Sequence, residues 1–184
     1  MKRILLIGAG GAGKSTLARR LAARTGLPEQ RIQVHERQAG WRETPKAAWR
    51  QTVATLVQRE AWIMDGNFGG TLDLRLAACD TVLFLDLPPL VCAWRILRRR
   101  LQYRGAARPD MAPGCPEHLD LCFLAWILGY RWRHRPGILR RLAVAAAGGR
   151  RVEVLASARE VEAFLANVPA TAPVQPQSPA RTPA

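Results

Sequence analysis

The chain has 184 residues, 48% of them hydrophobic, with 28 Lys and Arg against 14 Asp and Glu, for a formal net charge of +14. That length and apolar fraction fit a single globular domain with a core of its own. The excess charge is almost all arginine. It reads either as the habit of a GC-rich genome or as the mark of a polyanionic partner: nucleotide phosphates, nucleic acid or an anionic membrane.

Composition also argues against several classes. The apolar run after Lys2-Arg3 reaches glycine almost at once, so no signal peptide is expected. The most apolar later stretch, Leu119 to Tyr130, contains Asp120 and is too short to cross a bilayer. Cys79, Cys92, Cys115 and Cys122 form no C-x-x-C pair, and His35, His118 and His134 are not spaced as zinc ligands beside them. They read as reduced, mostly buried thiols of a cytoplasmic protein with no membrane partner, a monomer or homodimer.

In chain order, residues 3–7 predict a strand buried on both faces, because the run Ile4-Leu5-Leu6-Ile7 is unbroken. A helix follows from Lys14 to about Arg24, stopped by Gly26 and Pro28. Arg31 to His35 is a weaker second strand, and residues 37–43 make a loop around Gly40 and Trp41. Thr44-Pro45 opens a helix, with Thr as N-cap and Pro at the first helical position; Trp49, Val53, Leu56 and Val57 share one face through Glu60. Residues 61–65 form a third strand, and a short helix runs from about Leu72 to Ala78. Thr81 to Asp86 is the clearest strand, ended by Pro88-Pro89. The helix from Pro89 to about Tyr103 carries Leu90, Trp94, Leu97 and Leu101 on one face and Arg95 and Arg99 on another, with Arg98 and Arg100 alongside. Residues 104–116 read as an exposed loop. Pro116 to Tyr130 is helical, with Leu119, Cys122, Phe123, Trp126 and Ile127 as its buried stripe, and Arg131, Arg133 and Arg135 alternate beyond it. A helix at 137–147, a strand at 152–155 and a helix at 158–166 complete the domain, which spans residues 1–167. The Pro- and Ala-rich stretch 168–184 is expected to be a disordered tail. Strands alternating with helices predict a three-layer α/β domain with a parallel sheet and ligands at the strand C-termini, where Gly8, Asp65 and Asp86 all fall.

The first strand leads into Gly8-Ala9-Gly10-Gly11-Ala12-Gly13-Lys14-Ser15-Thr16. Strand, glycine loop and helix in that order cradle a phosphate. The glycines let backbone N–H groups approach it, the helix presents its positive end, and Lys14 supplies a cation. Ser15 is placed to hold magnesium. Gly8-x-Gly10-x-x-Gly13 also fits the dinucleotide-binding fingerprint, with Glu36 near the ribose-binding position. Lys14-Ser15 directly after the last glycine, and an acid ending the third strand, favour the P-loop.

Asp65 reads as a magnesium-organising carboxylate or as the cap of the next turn; Asp86 is the competing acid, with a turn role beside Pro88 as its alternative. Phosphoryl transfer needs cations matched to the moving charge, and Arg95 and Arg99, with Arg104 and Arg108 in the loop beyond, suit that need; the alternative is a solvated basic face. Trp41 could stack on a base, whereas Trp49 and Trp62 read as core. His35 could touch an acceptor or simply pack.

These motifs resemble the nucleoside-monophosphate-kinase-type P-loop proteins, and more closely the adenylate-kinase-related group called DNA topology modulation proteins. The resemblance rests on Gly8–Thr16, Trp62 to Phe68 through Asp65-Gly66-Asn67, Thr71 to Leu76, and Asp80 to Pro88. Arg104-Gly105, Arg108 to Met111, Gly114 to Glu117 and Phe123 to Ile127 extend it. It implies a P-loop NTPase fold with sheet order 2-3-1-4-5 and a short lid at about 100–116. It also implies ATP or GTP and magnesium (Mg2+) as cofactors, bound by Gly8, Gly10, Gly11, Ala12, Gly13, Lys14, Ser15 and Thr16. Ser15 and Asp65 would be the metal-organising residues, and Lys14, Asp65, Arg95, Arg99 and Arg108 the catalytic ones. The implied activity is transfer of the γ-phosphoryl group to a small acceptor, a nucleotide among the candidates, or slow ATP hydrolysis. The stretch from His35 to Trp41 is shorter than in the group, which leaves the acceptor open. The second reading is a nucleotide-dependent regulatory protein that binds nucleic acid non-specifically through its arginine-rich face.

Overall fold

The computed structural model describes residues 1–30, 32, 37–38, 42–67, 69–102 and 121–170. The strands are β1 (Arg3–Gly8), β2 (Glu29–Gln30), β3 (Arg37–Gln38), β4 (Arg42–Glu43), β5 (Trp62–Asp65), β6 (Thr81–Leu85) and β7 (Arg151–Leu155). The helices are α1 (Lys14–Thr25), α2 (Lys46–Leu56), α3 (Leu72–Ala78), α4 (Pro89–Gln102), α5 (Leu121–Arg133), α6 (Arg135–Ala147) and α7 (Ala158–Asn167). Five strands make one parallel sheet in the order β2-β5-β1-β6-β7, while β3 and β4 pair antiparallel by themselves. Counted in chain order within the large sheet, this is 2-3-1-4-5, the expected order, in a three-layer α/β fold.

The order follows from burial. β1 is the central strand because Ile4 to Ile7 offers apolar side chains to both faces, and all four are essentially inaccessible. It pairs with β5 on one side (Leu6 opposite Asp65) and with β6 on the other (Gly8 opposite Leu85). That register sets the end of β5 beside the start of the glycine loop. The N-terminal end of the sheet is tied by Asp80, whose carboxylate accepts the main-chain N–H groups of Lys2 (2.6 Å) and Arg3 (2.8 Å). α1 and α7 are joined by the Arg20–Glu162 ion pair. α7 starts with a reciprocal cap: the Glu160 N–H donates to Ser157 Oγ, and the Ala156 N–H donates to Glu160 Oε2.

Several elements differ from expectation. The second strand lies at Glu29–Gln30, before the stretch 31–35, of which only Ile32 is described, as a buried side chain. Pro45 occupies the cap position of α2 with extended backbone, and no side chain caps that helix; it ends at Leu56 rather than Glu60. Leu90, Trp94, Leu97 and Leu101 share a face of α4 as expected, and that face is exposed, while Cys92, Ala93 and Ile96 are packed inward. In α5 the buried side chains are Ile127 and Tyr130, with Trp126 half-buried, whereas Cys122 and Phe123 are exposed. Cys79 and Cys92 are buried thiols as expected, and burial pushes Cys79 up to about 11. Val168 is buried, and its carbonyl accepts from Arg24, so the packed unit runs one residue into the stretch expected to be tail. Phe68, Trp41, His35, the stretch 103–120 with Arg104, Arg108, Cys115, the expected helix start at Pro116 and Leu119, and residues 171–184 lie outside the described residues. No described helix is long and apolar enough to cross a membrane.

Burial pushes the Asp80 carboxyl up, but the hydrogen bonds from Thr81, Lys2 and Arg3 outweigh it and leave it below the ordinary carboxylate range. A depressed carboxylate stabilises fully above its unfolded pKa and loses that contribution as pH falls through its folded one. Asp80→Asn is therefore expected to be clearly less stable than the wild type at neutral pH. The gap should close as pH falls below the ordinary carboxylate range, as urea denaturation at several pH values would show.

Candidate functional site

The C-terminal end of β1 opens into the glycine loop, and α1 begins at Lys14 with Gly13 before it in the left-handed region (φ 98°). No side chain caps this helix and its first turn holds no acid, so its N–H groups and its positive end are left for an external anion. Two glycines are demanded by contact. A Cβ on Gly8 would stand 2.6 Å from the Leu85 carbonyl oxygen, and one on Gly11, whose φ is 77°, would strike the Cys92 carbonyl oxygen. The loop is thus held between β6 and α4 with no room for side chains at its turns. Gly10 meets a third wall: a Cβ there would lie 2.7 Å from the Phe123 ring. Ala12 is buried, and its carbonyl accepts from Arg95 Nη1 at 3.2 Å.

Lys14 is half-buried and turns back on the loop. Its ammonium donates to the carbonyls of Gly8 and Ala9, both at 2.9 Å. Burial pushes this ammonium below the ordinary lysine range; the charge of Asp65 opposes the shift and that of Arg99 adds to it. The structure therefore gathers Lys14, Asp65, Arg95 and Arg99 around one loop.

The Ser15 hydroxyl donates to Asp65 Oδ2 at 2.6 Å, joining the first turn of α1 to the end of β5. Asp65 is buried. Thr16, expected beside it, is exposed on the first turn of α1. Asp86, the competing acid, is engaged elsewhere: Arg135 Nε on α6 donates to its Oδ2 at 2.7 Å. Among the described residues no three His, Cys, Asp or Glu side chains gather as a metal site. A divalent cation here would find one hydroxyl and one carboxylate oxygen from the protein. That hard-oxygen donor set fits magnesium completing its shell with water and phosphate oxygens.

Three residues of the site escape sequence reasoning. Asn67 Oδ1 accepts the Gly8 N–H at 2.9 Å and so ties the loop to the chain beyond β5. Arg75 is completely buried in α3 and donates to the carbonyls of Gly66 (2.6 Å), Asn67 (2.8 Å) and Thr71 (3.4 Å), bracing the segment after Asp65. Tyr130, on α5, is buried beside Asn67, and burial pushes its phenol up. Arg75 did leave a signal: it lies three residues after Leu72 on the face that packs inward, where a cation needs partners.

Gly11→Ala is expected to lower unfolding stability by roughly 2–4 kcal/mol, the combined effect of a left-handed φ and a main-chain clash. Gly69→Ala, where a Cβ meets nothing within 4 Å, is the matched control and should be close to neutral in the same denaturation experiment. No protein-family model matches the chain, and no curated protein matches it.

Proposed function

We propose that this protein is a P-loop phosphotransferase. It binds ATP or GTP with magnesium at the Gly8–Thr16 loop and transfers the γ-phosphoryl group to a small acceptor, with nucleotides the first candidates. The observation that carries this reading is the Ser15–Asp65 hydrogen bond at 2.6 Å beside Lys14. A bare dinucleotide fingerprint calls for neither Lys14-Ser15 nor an acid on the neighbouring strand, whereas phosphate and magnesium chemistry uses all three.

The protein's share of the work is positioning and charge. The uncapped start of α1 and the loop amides receive phosphate oxygens. Lys14 exchanges its bonds to the Gly8 and Ala9 carbonyls for the outer phosphates. Ser15 and Asp65 would hold the magnesium, which when bound screens the phosphate charge. Arg95 sits one hydrogen bond from Ala12, and Arg99 is close enough to Lys14 to act on its proton affinity. Both are placed to meet negative charge that grows on the transferring group. Arg108 is proposed as a further cation from the lid.

Two experiments test this. Because folding lowers the pKa of Lys14, the unfolded chain holds more protons between the folded value and the ordinary lysine value, and stability rises with pH across that window. Lys14→Met is expected to lose the nucleotide-dependent rise in Tm while its nucleotide-free form stays at least as stable as the wild type, with any advantage shrinking as pH climbs towards the ordinary lysine range. A Lys14→Met protein still stabilised by ATP would overturn the reading. In a screen of acceptors with ATP, one acceptor should raise ADP release well above the water-only rate, and Asp65→Asn should lower that rate by about 100-fold or more. No responding acceptor, together with DNA binding that falls steeply with salt, would favour the nucleic-acid reading.

A further inference from the structure

We propose that α4 carries a docking seam for an amphipathic helix with acidic flanks on a partner protein. Leu90, Trp94, Leu97 and Leu101 are 76%, 63%, 36% and 70% exposed. Their spacing of four, three and four residues is that of the d-a-d-a seam of a coiled coil. Four large apolar side chains on one solvent-facing stripe are more than scattered surface hydrophobics. The helix does not need this face for its own packing, since it is anchored through Cys92, Ala93 and Ile96.

The flanks say what kind of partner fits. Arg98 follows a d position and Arg100 precedes an a position, which places one guanidinium about 80° to each side of the stripe. No acidic partner of either lies among the described residues. A second copy of this chain would set arginine against arginine along the seam, and a chain of net charge +14 has little tendency to pair with itself. A helix with Leu-type a and d residues and Glu or Asp at e and g positions satisfies both the apolar stripe and the two cations. Residues 103–120 and 171–184, each with several prolines, contain no run of apolar heptads that could fill the seam from within the chain. Trp94, at the middle of the stripe, is the natural anchor.

The test uses the full chain and two fluorescein-labelled peptides of roughly three heptads, both with Leu at a and d. One has Glu at e and g, the other Lys. Fluorescence anisotropy at low salt should show the Glu peptide binding at least about tenfold more tightly. Trp94→Ser should weaken it about tenfold, and the double variant Arg98→Glu/Arg100→Glu should reverse the preference between peptides. Trp94 and Arg98 are exposed and outside the packed face, so Trp94→Ser and Arg98→Glu alone should leave Tm unchanged; Arg100 is half-buried four residues after Ile96, so the double variant is read only where its Tm also matches the wild type. Equal binding of the two peptides, or binding of neither, overturns the proposal. So does a dimer of the protein alone, or cosedimentation with phosphatidylglycerol vesicles, if either is abolished by Trp94→Ser. No readout involves nucleotide, so failure here is separate from failure of the phosphotransferase reading.

Discussion

The hydrogen bond from Ser15 to Asp65 ties together the parts of the molecule that the proposed chemistry would use. It spans 50 residues of sequence and joins the first turn of α1 to the last residue of β5. It can form only because β5 lies next to β1, and β5 lies there because Ile63 and Met64 bury as completely as Ile4 and Leu5 do. Around this bond the main chain is held from several directions. Asn67 takes the Gly8 N–H, Arg75 holds the carbonyls after Asp65, and the Leu85 and Cys92 carbonyls press against Gly8 and Gly11. A loop fixed this way meets an anion with its amides already oriented, which spares the reorganisation that weakens binding by flexible segments.

The same pre-organisation has an electrostatic cost. Lys14, Arg95 and Arg99 converge on one loop beside Asp65, and burial, with a smaller contribution from the charge of Arg99, holds the proton affinity of Lys14 below the ordinary lysine range. Main-chain carbonyls relieve part of it: Gly8 and Ala9 take Lys14, and Ala12 takes Arg95. These partners are neutral, so they hold Lys14 and Arg95 in place without cancelling their charge, which is what the proposed phosphate ligand would do. Asp86 is kept out of this balance by Arg135. Had both acids faced the loop, their charges would have offset much of the cationic field that an anion meets there.

The legible parts of the sequence were those written in local pattern. Ile4 to Ile7 reads as a buried strand and the glycines before Lys14 as a tight loop opening a helix, and alternation of strand and helix was enough for a three-layer α/β domain; the sheet order came from resemblance. Residues whose role depends on partners far along the chain were not legible. Nothing near Asp86 announces that Arg135 will claim it, and Asn67 gives no hint that its side chain reaches Gly8. The second strand shows the same limit at small scale. Arg31 to His35 alternates more convincingly than Glu29–Gln30, yet it is Glu29 and Gln30 that pair with Ile63 and Met64. Pairing against a buried neighbour outweighs local propensity.

α4 shows why periodicity alone cannot assign a core. The stripe Leu90, Trp94, Leu97 and Leu101 is the more hydrophobic face of that helix, yet it is the Cys92, Ala93 and Ile96 face that turns inward. Close approach explains the choice. The Cys92 carbonyl abuts Gly11, and a helix can come that near to a glycine loop only through small or slender side chains. Tryptophan and leucine at those positions would hold the helix away and carry Arg95 out of reach of Ala12. The demands of the loop thus select the inward face, and the large apolar side chains are displaced to the surface, so that one helix turns Arg95 to the loop and leaves an apolar stripe exposed.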